Sequence, residues 1–67
     1  MPNTLALIQD ALAEPRRRPE YVFVGDREWL EIAEHLVTEP GGHVTYHGVP
    51  IIGVDREFFL RVTYKGQ

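Results

Sequence analysis

"YVFVGDREWLEIAEHL", Tyr21 to Leu36, is the stretch on which the fold turns. Its first four residues are β-prone and none alternates with a charged residue, which is the composition of a central strand covered on both faces. Gly25-Asp26 breaks that run, and the apolar spacing then becomes helical. Trp29, Ile32, Ala33 and Leu36 fall on one stripe, widened by Leu30 and Val37, while Arg27, Glu28, Glu31, Glu34 and His35 take the wet side. Asp26 is suited to cap this helix, since its carboxylate can accept from the first free amides and sits at the positive end of the helix dipole. The helix is predicted to end near Thr38, at "EPGG".

Downstream, "HVTYHGVPIIGVDREFFLRV", His43 to Val62, alternates as strands do. Val44 and Tyr46 point one way and His43, Thr45 and His47 the other; "GVP" turns the chain, and Ile51 to Val54 pair back. Asp55 to Glu57 make the next turn. Beyond it Phe58, Leu60, Val62 and Tyr64 alternate with Phe59, Arg61, Thr63 and Lys65. Pro50 lacks an amide hydrogen and is expected at a strand start or an edge.

Upstream, Thr4 to Glu14 place Leu5, Ile8 and Leu12 on one helical stripe, with Leu7 and Ala11 beside it and Gln9, Asp10 and Glu14 facing away. Asn3 or Thr4 can cap this helix, and Pro15 stops it. "PRRRPE", Pro15 to Glu20, cannot continue a helix and reads as a stiff extended connector. The predicted organisation is therefore α+β: residues 1–19 form an amphipathic helix and Pro/Arg arm, and residues 20–67 form β-α-β-β-β, a small, mainly antiparallel sheet packed on one helix.

Composition narrows the function. A chain of 67 residues buries only about 60% of the surface its unfolded form exposes. With no cysteine it has neither disulfides nor thiolate metal ligands. Packing or oligomerisation must replace those staples. An apolar fraction of 43% and a charged fraction of 25% are ordinary for a globular domain. No apolar run approaches the roughly 20 residues that span a bilayer, and the N-terminus lacks the basic start of a signal peptide, so a cytoplasmic setting without membrane contact is expected. The net charge of -3 argues against a general nucleic-acid footprint. The absence of serine and the excess of arginine over lysine fit a thermophilic source.

The possible chemical sites are few. His43 and His47 have the HxxxH spacing that binds metal on a helix, but on a strand four steps of about 3.3 Å separate them by roughly 13 Å. They read as the polar face of a half-buried strand, with a pH-sensitive contact surface as the functional alternative. There is no serine or cysteine nucleophile, and Glu28, Glu31 and Glu34 lie on the expected wet face. His35 pairs best with Glu31, one turn earlier. A pocket of His47, Asp55 and Glu57 can be drawn, but no spacing rule demands it. Gly41-Gly42 is followed by a strand, which excludes a phosphate cradle at a helix start. The reading is therefore of no enzyme, no metal and no cofactor. Arg16, Arg17 and Arg18 are either a solvated linker that offsets the acidic helices or a docking arm for an acidic partner or phosphate.

One consequence follows from covering the sheet. A single helix covers one face, yet neither "YVFVG" nor "IIGV" shows a polar face, so the second face should also be buried. The N-terminal helix either folds back onto its own sheet or reaches a neighbouring copy or another protein. The chain is thus expected to be a protein-binding or assembly module, oligomeric or bound to another protein. Its expected contact residues are Leu5, Ile8, Leu12, Arg16, Arg17, Arg18, His43 and His47. The alternative is a small regulator that binds nucleic acid or an acidic host-protein surface through its arginines.

The order of these residues, "YVFVGDREWLEIAEHL" followed by "YHGVPIIGVD", resembles the strand, helix and hairpin unit in the peripheral domain of tailed-bacteriophage major capsid proteins. It is similar also to small stand-alone phage proteins built on that unit. The resemblance covers Tyr21 to Val62 and rests on Trp29, Tyr46, Gly48, Pro50, Ile51 and Ile52, all packing or turn residues. The chain departs from the capsid pattern in its far shorter length and in its N-terminal helix and triple arginine. The resemblance implies a phage accessory or virion-associated protein that works by contact, in the host cytoplasm or the virion.

Overall fold

A computed structural model describes residues 3–66. Its elements are α1 (Thr4–Leu12), β1 (Pro19–Val24), α2 (Asp26–Ile32) continued by one 3-10 turn (Ala33–His35), β2 (Val37–Thr38), β3 (Val44–Tyr46), β4 (Val49–Gly53) and β5 (Leu60–Tyr64). The architecture is α+β, as the periodicities predict. The five strands form one mixed sheet in the order β2-β3-β4-β1-β5, antiparallel except where β1 runs parallel to β4. No helix among the described residues is long and apolar enough to cross a membrane.

β1 is central, and the side chains of Val22 and Val24 on its helix-facing side are fully buried. They pack with Ile51 and Tyr46 of the neighbouring strands, with Ile8 from α1 and with Ile32 from α2; Leu5, Leu12, Trp29, Leu60 and Val62 close around this group. Both helices therefore cover the same face of the sheet, and α1 packs in cis. A chain this short has too few apolar residues for two separate cores, and a single two-layer core buries them most completely.

α2 is shorter than its pattern predicts. It ends at Ile32, and after the 3-10 turn Leu36 is extended, so Val37 and Thr38 become a short edge strand against β3. Leu36 still packs against the core, whereas Leu30, which was expected to widen the stripe, is 74% exposed. His35 lies 3.5 Å from the adjacent Glu34 instead of pairing with Glu31, because the 3-10 turn changes the rotation between residues. The β3–β4 hairpin turns on His47 and Gly48, with φ of 50° and 80°. Two successive left-handed residues are the mark of a two-residue type I′ loop. His43 and His47 thus flank β3 and do not lie within it.

The capping of α2 differs in kind from the expectation. Gly25, not Asp26, is the N-cap, and no side chain caps the helix. The first amides are met by main chain: Asp26 N–H donates to the Arg56 carbonyl at 2.8 Å and Arg27 N–H to the Glu57 carbonyl at 3.0 Å. In return Glu28 Oε1 accepts from Phe59 N–H at 2.9 Å, and Gly25 N–H donates to the Phe59 carbonyl at 2.8 Å. Glu28 is half-buried in this role and is not simply a wet-face residue. The segment from Asp55 to Phe59 passes so close that a Cβ on Gly25 would lie 2.7 Å from both Arg56 O and Phe59 N. This passage carries the chain from β4 across to the far side of β1, so β5 pairs with β1 and forms no hairpin with β4.

Two outcomes are expected. Gly25→Ala should destabilise the fold by about 1–3 kcal/mol through overpacking, read as a lower denaturation midpoint, although its φ of -83° is open to alanine. Ile8→Ala, at a side chain only 1% exposed, should cost about 2–5 kcal/mol and leave the chain largely unfolded by circular dichroism; an unchanged melting curve would show that α1 is dispensable to the core.

Candidate interaction surface

With both helices on one side, no element among the described residues covers the other face of the sheet. Strand alternation sends Tyr21 and Phe23 of β1 to this face, opposite Val22 and Val24. Register places Ile52 of β4 and Arg61 of β5 on either side of Phe23, and Thr63 beside Tyr21. Thr45 of β3 pairs with Pro50 of β4 and with Val37 of β2, extending the surface to the opposite edge. Tyr21 is 39% and Ile52 36% exposed. The Tyr21 and Phe23 rings lie 6.1 Å apart between centroids and tilt by 46°, a spacing at which aromatic edges and faces attract.

One end of this face is walled by the β2–β3 connection. Glu39 N–H donates to the His43 carbonyl at 2.6 Å and Gly42 N–H to the Glu39 carbonyl at 3.0 Å. Gly41 and Gly42 take φ of 96° and 91°, which a side chain would resist. The Glu39 carboxylate, turned inward, accepts from the Thr45 hydroxyl at 3.1 Å. Between this turn and the strands lies a solvent-open concavity of about 730 Å³, bordered by Tyr21, His43, Thr45, Pro50 and Ile52. Its floor is largely apolar, with the Glu39–Thr45 pair as a polar rim. Such a surface can bind another molecule by burial of apolar area, oriented by a few polar groups.

The residues singled out in the sequence are divided by the fold. Ile8 is buried, and Leu5 and Leu12 pack against the same core, so the apolar stripe of α1 is spent within the chain. Arg16, Arg17 and Arg18 are all exposed; the Arg17 guanidinium lies 4.9 Å from the centre of the Tyr64 ring, and the Arg18 carbonyl accepts from Lys65 N–H. His43 borders the concavity, whereas His47 lies edge-on to the Tyr46 ring, 4.4 Å between centroids, near Gln9 and Leu12 of α1. Glu57 is engaged by Arg27 at 3.4 Å at the start of α2 and makes no cluster with His47. Among the described residues no group of three His, Asp or Glu could hold a metal ion.

Tyr21, Phe23, Pro50 and Ile52 were not singled out as contact residues. A signal for the first two was present: in "YVFV" the aromatic residues occupy one parity and the valines the other. The bulky aromatics therefore share a face, and the small β-branched residues that pack tightly beneath helices share the opposite one. Compared with known proteins, the chain matches no family model, no curated protein and no solved structure.

Proposed function

We propose that the chain is a non-enzymatic protein-binding or assembly module that works through the uncovered face of its sheet. The observation that carries this reading is the apolar surface of Tyr21, Phe23, Pro50 and Ile52 on a face without a helix. A sheet face of this composition gains free energy when a partner removes it from water. In the phage setting that the sequence resemblance implies, the module is an accessory or virion-associated protein that acts by contact in the host cytoplasm or the virion.

The arginine segment supports a second reading, a regulator that grips nucleic acid or an acidic protein surface. Arg16, Arg17 and Arg18 are exposed and form no salt bridge among the described residues, although the chain as a whole is acidic. Such contacts weaken steeply with salt, whereas apolar contacts do not.

The two readings separate in one experiment, affinity capture from the native host with the wild type, a Tyr21→Lys/Ile52→Lys variant and an Arg16→Ala/Arg17→Ala/Arg18→Ala variant, at low and high salt. The open-face reading predicts a salt-resistant partner retained by the wild type and the arginine variant and lost by the lysine variant; because Tyr21 is only 39% and Ile52 only 36% exposed, its fold is checked by circular dichroism in the same experiment. Loss with salt and with the arginine variant alone would assign the function to the arm.

A further inference from the structure

The two edges of the sheet differ. β2 closes one edge with only two residues, and Glu39-Pro40 follows at once, so an arriving strand finds little main chain there. β5 closes the other with five residues, Leu60–Tyr64, and contains neither proline nor lysine; the irregularity in its ladder lies on β1, between Pro19 and Tyr21. Short strands, proline, lysine and bulges are the usual means of blunting an edge. β2 has several of these, whereas β5 has only the charge of Arg61 at its centre and Lys65 just beyond its end.

The bonds that β5 makes to β1 fix which of its groups are free. The Phe59 carbonyl accepts from Gly25 N–H, and Lys65 N–H donates to the Arg18 carbonyl, each at 2.8 Å. Odd-numbered residues along this strand therefore present their main chain to β1. Because N–H and C=O of one strand residue point the same way and alternate along the strand, Leu60, Val62 and Tyr64 present theirs outward. Among the described residues no main-chain group pairs with them on that side.

We infer that this edge pairs with the β5 edge of a second copy of the chain, antiparallel and centred on Val62, joining two sheets into one. The charges allow this partner and favour this register among those that pair the two strands. Centred on Val62, Arg61 lies opposite Thr63 of the second copy and Leu60 opposite Tyr64, so no like charges meet and every outward N–H of the strand finds an outward carbonyl. Centred on Arg61, the two arginines would oppose each other. Centred on Thr63, Arg61 would oppose Lys65. The Arg61–Thr63 positions are a non-hydrogen-bonded pair in the Val62 register, with Cα atoms about 4.5 Å apart, so the contact is sensitive to what stands at 63. Two five-residue strands bury far less than the roughly 1,600 Å² of a standard interface, so the Kd is expected on the order of micromolar or weaker, with dimer forming only at concentrations near or above it. This inference names a partner for the contact reading above, but it rests on the edge of the sheet instead of its open face.

The test is sedimentation equilibrium of the full chain over a wide concentration range, for the wild type and the variants Thr63→Glu and Thr63→Arg. The expected result is a wild-type monomer–dimer equilibrium, tightened about tenfold by Thr63→Glu, which faces Arg61 of the other copy twice, and weakened about tenfold by Thr63→Arg. A synthetic chain N-methylated at the Val62 amide keeps the side chain but blocks the outward bond, and is expected to be monomeric with an unchanged circular dichroism spectrum. A wild-type monomer at all concentrations, equal responses of the two Thr63 variants, or a dimer that survives N-methylation would overturn the proposal. A dimer abolished by Tyr21→Lys/Ile52→Lys but indifferent to residue 63 would overturn it too, while leaving the open-face reading intact.

Discussion

The close approach of main chain at Gly25 sets much of the topology. There the carbonyls of Arg56 and Glu57 cap the first amides of α2, Phe59 bonds to Gly25 and to the Glu28 carboxylate, and no space remains for a Cβ. Four unpaired amides at a helix start must find acceptors; here a passing loop supplies two of them. In doing so, the loop carries the chain over the end of β1 and delivers β5 to its free side. β1 becomes central, β4 and β5 are separated, and β5 becomes an edge.

That routing also decides which surfaces remain for contact. α1 arrives before β1 and α2 leaves after it, and both settle on the face of Val22, Val24 and Ile51 because their own apolar residues, Ile8 and Ile32, complete one cluster there. A small domain gains more from one well-filled core than from two thin layers. The opposite face keeps Tyr21, Phe23, Pro50 and Ile52, large enough to shield part of the backbone. The core thus lies on one face of the five strands, and the other face keeps its aromatic and branched side chains partly open to solvent.

Much of the fold and part of the site were legible in advance. A cap at Asn3 or Thr4 of α1, its stop before Pro15, the strand at "YVFV" and the helix after it follow from local periods and turn chemistry, and local rules operate over a few residues; "GVP" reads as the turn, whereas the turn is His47-Gly48 and Val49 and Pro50 already pair with β3. The end of α2 is not legible locally, because Val37 fits a helical stripe and an edge strand equally well; pairing with Thr45 decides it. Alternation continues through His47 and reads as strand, whereas the two-residue hairpin needs a left-handed residue there. Contact is expected from α1, the arginine arm and an apolar sheet face; the packing of Leu5, Ile8 and Leu12 into the core spends the stripe of α1 within the chain, and which strand residues lie on the open face depends on both helices choosing the other one.

The sequence by itself determined the class of the protein: a small α+β domain without cysteine, with no apolar helix long enough to span a bilayer, and with glycine and proline marking most of its turns. Only the tertiary structure decided that both helices share one face, that β5 crosses beyond β1, and that Glu28 serves main chain instead of solvent. The reason is range. Caps, turns and amphipathic periods are set by neighbours within one or two turns of chain, whereas the choice of face and of strand order depends on which distant apolar groups can fill a common core, a competition that no local window contains.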